Sequence, residues 1–387
     1  MNKKELELYI HIPFCVRKCS YCDFLSAPAT EQTREAYMAA LFAEIGGRAK
    51  DYSDRTVTSI FIGGGTPSLL SGEQIGQLMD RIREQFAMAQ DAEITMEVNP
   101  GTASAEKLRN FYTAGINRLS IGMQSAQAEE LKNLGRIHDF EGFCQGYREA
   151  VEAGFTNINV DIMSGLPGQT LASYRDTLEK VLHLEPMPQH ISAYSLIVEE
   201  GTPFAAMAER GELPLPEEET ERAMYEETIE VLSKYGFHRY EISNYARDGY
   251  ECRHNVGYWI RRDYLGFGIG AASLIDNVRF QNEKSLGAYL AHPLESREEE
   301  QTLTVQDRME ETMFLGLRLT RGVSCVDFAE QYGRTVEEVY GEVIARNVAD
   351  GLLTVTERKE NQKKDRFLAL TKRGLDLSNY VMAQFLF

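Results

Sequence analysis

The chain has 387 residues, and its 59 acidic against 41 basic side chains give a formal charge of −18. Such a surface repels phosphate backbones and anionic lipid, which argues against nucleic acid or membrane as a default partner. Hydrophobic residues at 43% and charged residues at 26% make an ordinary globular balance, enough to bury a sizeable core in a chain long enough for one large domain and an appendage.

The first residues, MNKKELELYIHIPF, contain no apolar run of signal-peptide length, and nowhere does an apolar stretch approach the roughly 18 residues of a membrane span. The expected location is cytoplasmic, with thiols kept reduced and membrane contact made only through a partner. In chain order, β-rich apolar runs predict strands over 6–12, 57–62, 93–98, 117–122, 157–163 and 190–196. Helical spacing predicts helices between them, over 31–49, 72–87, 104–114, 125–153 and 170–184, with Ser104 and Thr170 at helix starts. This alternation demands a parallel sheet with helical crossovers. Cys15–Cys22, Gly63–Pro67, Glu97, Gln124 and Asp161 each fall at or just after the C-terminal end of a different predicted strand. A barrel collects its site from many strand ends, whereas a doubly wound sheet concentrates it at one crossover. The expected fold class is therefore α/β, an open partial (β/α)6 barrel over residues 1–200.

Residues 201–300 read as a mixed extension: a helix over 217–235, the run YEISNYA (240–246), a polar turn RDGYECRHN and the glycine-rich GFGIGAAS (266–273). Residues 301–387 change character. Helices over 303–318 and 335–350, strands over 351–357 and 366–371 around the charged turn ERKENQKKD, and a final helix over 372–386 predict a winged-helix-like α+β domain. Such modules often bind DNA; the acidic surroundings favour a lid or docking role here.

Three of the six cysteines lie within eight residues, as Cys15-Val-Arg-Lys-Cys19-Ser-Tyr21-Cys22, in the loop after the first predicted strand. Three thiolates suit a soft iron–sulfur cluster, and three ligands leave one iron of a four-iron cluster open, as a catalytic metal site requires. The alternative is zinc with His11 as a fourth ligand, although His11 lies within a predicted strand and the spacing fits structural zinc poorly. Cys144, Cys252 and Cys325 are scattered and read as small buried side chains. The run Ile62-Gly63-Gly64-Gly65-Thr66-Pro67-Ser68 follows the second strand; its backbone groups can meet a ligand directly, or it is merely a tight connection. Glu97 is a ligand contact or a solvated loop carboxylate, and Arg136 and Asp161 are ligand contacts or a structural ion pair.

The Cys-x3-Cys-x2-Cys loop with Tyr21 before its last cysteine resembles the signature of the radical S-adenosylmethionine superfamily. That resemblance implies a [4Fe-4S] cluster on Cys15, Cys19 and Cys22 and S-adenosylmethionine chelated to the open iron through its amine and carboxylate. It also implies an electron donor of flavodoxin or ferredoxin type and reductive cleavage to a 5′-deoxyadenosyl radical. The run Tyr9-Ile-His-Ile-Pro-Phe-Cys15 with Cys22-Asp-Phe24 resembles the oxygen-independent coproporphyrinogen III oxidase family over nearly the whole chain. Residue by residue, it implies that Tyr9, Tyr21, Gly64, Gly65, Thr66, Glu97, Gln124, Arg136 and Asp161 contact S-adenosylmethionine, Glu97 through ribose hydroxyls. In the oxidase branch Gln124, Arg136 and Asp161, with Gly65 and Thr66, contact a second molecule of it. No catalytic residue is assigned.

Two departures from the oxidase stand out: Phe24 where that enzyme carries a further cysteine, and only eight residues before Tyr9 where it has a substantial extension. One addition matters as much. Arg253-His254-Asn255-Val256-Gly257-Tyr258-Trp259 contains His-Asn-x-x-Tyr-Trp, with the chain's single tryptophan. It resembles the motif of the HemW-type haem chaperone branch. The resemblance implies haem contact by His254, Tyr258 and Trp259, an imidazole beside flat apolar walls; the same histidine can be a buried structural one. Cys252 is an alternative iron ligand, and Arg253, Arg261 and Arg262 are candidates to receive propionates. No Cys-x-x-Cys-His occurs, so c-type attachment is not indicated. The motif is expected on a loop near the barrel mouth. The expected function is a haem chaperone that binds haem, the cluster and S-adenosylmethionine and delivers haem to an acceptor protein. The alternatives are the oxidase itself, or a radical enzyme on another substrate, because a barrel alone does not fix the substrate.

Overall fold

The computed structural model describes residues 4–295, 297–360 and 363–386. Strand alternation sets its core. β1 (Lys4–Ile12) turns Leu6, Leu8, Ile10 and Ile12 into an apolar layer and Glu7, Tyr9 and His11 to the opposite face. Next come β2 (Arg55–Gly64), β3 (Ala87–Val98), β4 (Arg118–Gln124), β5 (Ile158–Ser164) and β6 (His190–Ser195), each parallel to the one before it. The crossovers are helical: α1 (Glu31–Arg48), α2 (Gly72–Gln85), α3 (Ala105–Thr113), the pair α4 (Ala128–Leu134) and α5 (Phe140–Glu152), and α6 (Leu171–Leu182). Strand order without a reversal is that of a singly wound sheet, as the barrel reading expects.

The sheet is open, and the segment after β6 extends it at both ends. After α7 (Pro203–Glu209) and α8 (Glu218–Lys234), β7 (His238–Arg239) and β8 (Asn244–Ala246) add to the β6 side. Past α9 (Arg253–Trp259) the chain returns to β1: β9 (Tyr264–Phe267) pairs with it in parallel, and β10 (Ala272–Ile275), β11 (Val278–Asn282) and β12 (Arg297–Thr302) follow antiparallel, with α10 (Leu286–Ala291) before β12. The result is a 12-stranded sheet with β12 and β7 at its edges.

The C-terminal part has its own core, including Met313, Leu317, Phe328, Leu368 and Phe385. It comprises α11 (Val305–Gly316), β13 (Val323–Ser324), α12 (Cys325–Tyr332), α13 (Val336–Ala349), β14 (Leu353–Glu360), β15 (Lys363–Leu370), α14 (Lys372–Asp376) and α15 (Ser378–Ala383). Its sheet runs β13-β15-β14. The tip of the predicted charged turn, residues 361–362, lies outside the described residues.

Three local expectations need correction. The helix expected over 125–153 is two helices, because Gly135 ends α4 in the left-handed conformation at φ 77°. The resulting turn carries Arg136. The final helix is likewise two short ones, α14 and α15. The polar stretch around His254 is a helix, α9, rather than a loop at the mouth.

Candidate functional site

A cavity of about 540 Å³ opens at the C-terminal ends of the central strands, within the usual range for small-molecule sites. Cys15, Cys19 and Cys22 all line it, together with Tyr21, Gly64, Gly65, Thr66, Glu97, Gln124, Arg136 and Asp161. The cysteine loop is fixed by backbone bonds from several directions. Cys15 N–H donates to Ala27 O at 3.1 Å, Ser20 N–H to Leu134 O at 3.0 Å, and Phe204 N–H to Ser20 O at 3.0 Å. Tyr21 packs on the small core formed by Leu134, Met163, Leu166 and Phe204.

The glycine turn is bolted to the chain entering that loop. Gly65 N–H donates to Ile12 O at 2.8 Å and Thr66 N–H to Phe14 O at 2.7 Å. A Cβ on Gly65 would stand 2.7–2.8 Å from Ile12 O, Phe14 O and Phe14 N, all backbone atoms with no freedom to yield. Gly65→Ala is therefore expected to destabilise the protein by about 2 kcal/mol and to lower iron retention, read as a fall in urea midpoint and in iron bound after reconstitution.

Side-chain bonds link two of the thiols across the cavity wall. Thr66 Oγ1 donates to Cys15 Sγ at 3.4 Å and accepts from Asn99 Nδ2 at 2.7 Å. Arg136 donates to Asn99 Oδ1 at 2.8 Å, to Gly122 O, and through Nη1 to Cys19 Sγ at 3.8 Å. These bonds tie Cys15 to the glycine turn and Cys19 to the turn after α4. Asn99 was not among the sequence candidates; its only signal was its place two residues after Glu97, before Pro100, at the end of β3.

The inward faces of the strands make a polar floor. Asp161 accepts from Asn159 Nδ2 at 2.6 Å and from Ser120 Oγ at 3.4 Å. Asp161 and Arg136 thus have separate partners, in place of the ion pair held open above. Burial raises the pKa of Asp161, against the pull of Asn159 and its other partners. Glu97 is pushed up to about 7, first by burial and then by the neighbouring Asp161, although Gly64 N–H donates to it at 3.0 Å. Gln124, with φ at 69°, accepts from Tyr194 OH at 2.9 Å. This is a room for a ligand rich in hydroxyls and charges: carboxylates in its floor, a guanidinium in its wall, three thiols at its mouth.

Tyr9 departs from its expected place. Its hydroxyl bonds His11 Nδ1 at 3.0 Å, and it lines an adjacent cleft rather than this cavity. His11 Nε2 is taken by Leu25 O at 2.8 Å, so both ring nitrogens of the zinc alternative's fourth ligand are engaged elsewhere.

The His-Asn-x-x-Tyr-Trp run forms a plug beneath the floor. Glu93 accepts from the N–H groups of Arg253 and His254, both at 3.1 Å, holding the start of α9. His254 is 1% exposed, with Nδ1 on Ser59 Oγ at 2.8 Å and Nε2 on Tyr258 OH at 3.1 Å. Burial, then Arg118 and Arg262, push its pKa down to about 3, so the ring is neutral. Trp259 lies away from the cavity with Arg318 over its ring, 4.4 Å from the centroid. Cys252 is fully buried against Glu93. The propionate candidates already hold carboxylates: Arg253 with Asp91, Arg261 with Glu311, and Arg262 with Glu5 and Glu7. The structure thus brings none of these groups to the mouth, and only Asn255 of the motif reaches the cavity.

The donor set fits an iron–sulfur cluster. Among the described residues no three His, Cys, Asp or Glu side chains converge on the position of a single ion. A four-iron cluster takes three such soft thiolates on three different irons, and all three cysteines line this one cavity. Among the described residues, no helix is long and apolar enough to cross a membrane.

Comparison with known proteins agrees with this geometry. Residues 9–181 match the Radical SAM superfamily and residues 303–377 the HemN C-terminal domain. The chain is 38% identical over 385 residues to heme chaperone HemW of Bacillus subtilis, covering 98% of each chain. It is 37% identical over 358 residues to heme chaperone HemW of Escherichia coli, covering 90% of this chain and 92% of that one. The solved structure of coproporphyrinogen III oxidase (HemN) from Escherichia coli, a radical SAM enzyme, superposes with a TM-score of 0.84 at 28% identity, over 99% of this chain and 90% of the other. With relatives of this similarity along its full length, the chain belongs to the HemW family of haem chaperones within the radical SAM superfamily.

Proposed function

We propose that the chain is a cytoplasmic haem chaperone that binds haem and passes it to an acceptor protein, and that it also holds a [4Fe-4S] cluster and S-adenosylmethionine. The observation that carries the cofactor part is the single cavity that gathers three thiols, the glycine turn, Glu97 and Arg136. Cys15, Cys19 and Cys22 would hold the cluster, and S-adenosylmethionine would meet its open iron. When bound, the cluster supplies one electron to the sulfonium; a flavodoxin- or ferredoxin-like donor would replenish it. Gly64, Gly65 and Thr66 would present backbone groups to the methionine end, Glu97 would accept from ribose hydroxyls, and Tyr21, Gln124, Arg136 and Asp161 would complete the walls. We further propose three functional parts: the partial barrel to residue 200, the extension carrying His-Asn-x-x-Tyr-Trp to 300, and a C-terminal domain that docks partners other than nucleic acid.

The likeness to HemN supports a second reading, oxidative decarboxylation of coproporphyrinogen III. Phe24, standing where the oxidase family carries a cysteine, weighs against it. One experiment separates the two. The anaerobically reconstituted protein is assayed for haem binding and for coproporphyrinogen conversion. Haem binding with at most marginal conversion is expected. Robust protoporphyrinogen formation would move the assignment to the oxidase, and neither result would point to another substrate.

A further inference from the structure

Beside the main cavity lies a second cleft of about 320 Å³. One wall is Phe24 and Leu25 of the cysteine loop. The other is Tyr264 of β9, Gly270 of the turn that follows and Ala272 at the start of β10, and Tyr9, His11 and Tyr258 complete the lining. Phe24, 60% exposed, borders both spaces. We propose that this aromatic cleft seats one edge of the haem macrocycle, an inference that rests on the haem-binding reading above.

The chemistry of the lining carries the assignment. A planar π-system gains most from flat aromatic faces and edges, and Tyr9, Phe24, Tyr258 and Tyr264 all line the cleft. Tyr258 and Tyr264 meet edge to face, centroids 4.6 Å apart at 87°, so one presents a face where the other presents an edge. A volume near the low end for small-molecule pockets holds an edge and leaves the rest of the ring accessible, which suits a cargo that must leave again.

Polar groups near the rim add little to this seat. Gln281 stands opposite Ala272 in the β10–β11 register, and its Nε2 is buried without a hydrogen-bond partner. That nitrogen is enclosed and Gln281 does not line the cleft, so it is not a contact for a propionate. Fixed charge also contributes little: Arg279, beside Tyr264, is held by Glu311 at 2.7 Å, and Lys284 stands near Glu298. The ring contacts are the basis of the seat.

The cleft also gives the His-Asn-x-x-Tyr-Trp motif a role compatible with its burial. Tyr258 is the member that reaches the cleft, and His254 Nε2 holds its hydroxyl. His254 is then a positioning residue rather than an iron ligand.

The test titrates the reconstituted full chain with hemin and, separately, with iron-free protoporphyrin IX, normalised to folded protein by circular dichroism and iron content. Ala272→Trp fills the cleft from an exposed position and is expected to weaken both probes by about tenfold, a change of about 1.4 kcal/mol. Phe24→Ala, at an exposed site that leaves the core intact, is expected to weaken both several-fold. His254→Ala is expected to weaken hemin modestly without moving its Soret band. Wild-type affinity for both probes in both cleft variants overturns the seat while leaving haem binding in place. So does a shifted Soret band in His254→Ala combined with unchanged Ala272→Trp. A wild-type chain that binds neither probe overturns the haem reading itself.

Discussion

Cys19→Ala is expected to abolish the iron–sulfur cluster: anaerobic reconstitution should leave near-zero iron and sulfide, against about four of each per wild-type chain. The loss should be close to complete because the remaining ligands cannot compensate. Among the described residues Cys144 and Cys325 do not line the cavity, and Cys252 lies buried under Glu93. Arg136→Ala is the informative companion. Arg136 faces Cys19 Sγ at 3.8 Å without being a candidate ligand, so its removal should leave most of the iron in place while weakening S-adenosylmethionine binding. A Cys19→Ala protein that keeps its iron would require a different ligand set. Stoichiometric zinc and no iron in the wild type would end the radical reading.

The parallel core was legible because its cause is local. Each of the six strands repeats the period-2 pattern or a continuous apolar run, and each helix between them carries its own period. The positions of the cysteine loop, Gly64–Thr66, Glu97, Gln124 and Asp161 followed from the same reading, since a parallel singly wound sheet brings all C-terminal strand ends to one side. What escaped depends on distant partners. A seven-residue helix such as α9 is too short to show a period, and Glu93, about 160 positions away, holds its first turn. The reading of His254 as a buried structural histidine was open from the sequence, but its distant partner was not: Ser59 and Tyr258 occupy its nitrogens, and nothing in HNVGYW announces Ser59. The break at Gly135 was hidden differently, because a glycine inside a helical pattern is commonly tolerated. Here its left-handed turn delivers Arg136 to the cavity.

Glu97→Gln is expected to make the cofactor-free protein more stable at pH 8 and poorer at binding S-adenosylmethionine. The carboxyl is half-buried in the cavity wall, and burial followed by Asp161 pushes it from an ordinary 4.5 up to about 7. Below the ordinary value both folded and unfolded states hold the proton, and the residue contributes nothing to pH dependence. Between the two values the folded chain keeps a proton that the unfolded chain has released, so stability falls as pH rises; above about 7 the loss is complete. At about 1.4 kcal/mol per pH unit, the full cost is about 3 kcal/mol. Glutamine keeps an acceptor for Gly64 N–H and removes the charge. Urea midpoints should therefore fall less between pH 5 and pH 8 in the variant, and the variant should be the more stable of the two at pH 8. The same substitution replaces a charged acceptor with a neutral one, and hydrogen bonds to ionised acceptors are roughly twice as strong. S-adenosylmethionine affinity at pH 8 should drop by roughly tenfold, with cluster content unchanged. Parallel midpoint curves for the two proteins would show that Glu97 ionises freely in the fold. Full cofactor affinity in the variant would remove the carboxylate from the ribose site. If both expected effects appear together, the destabilising charge at the end of β3 is retained for its ligand.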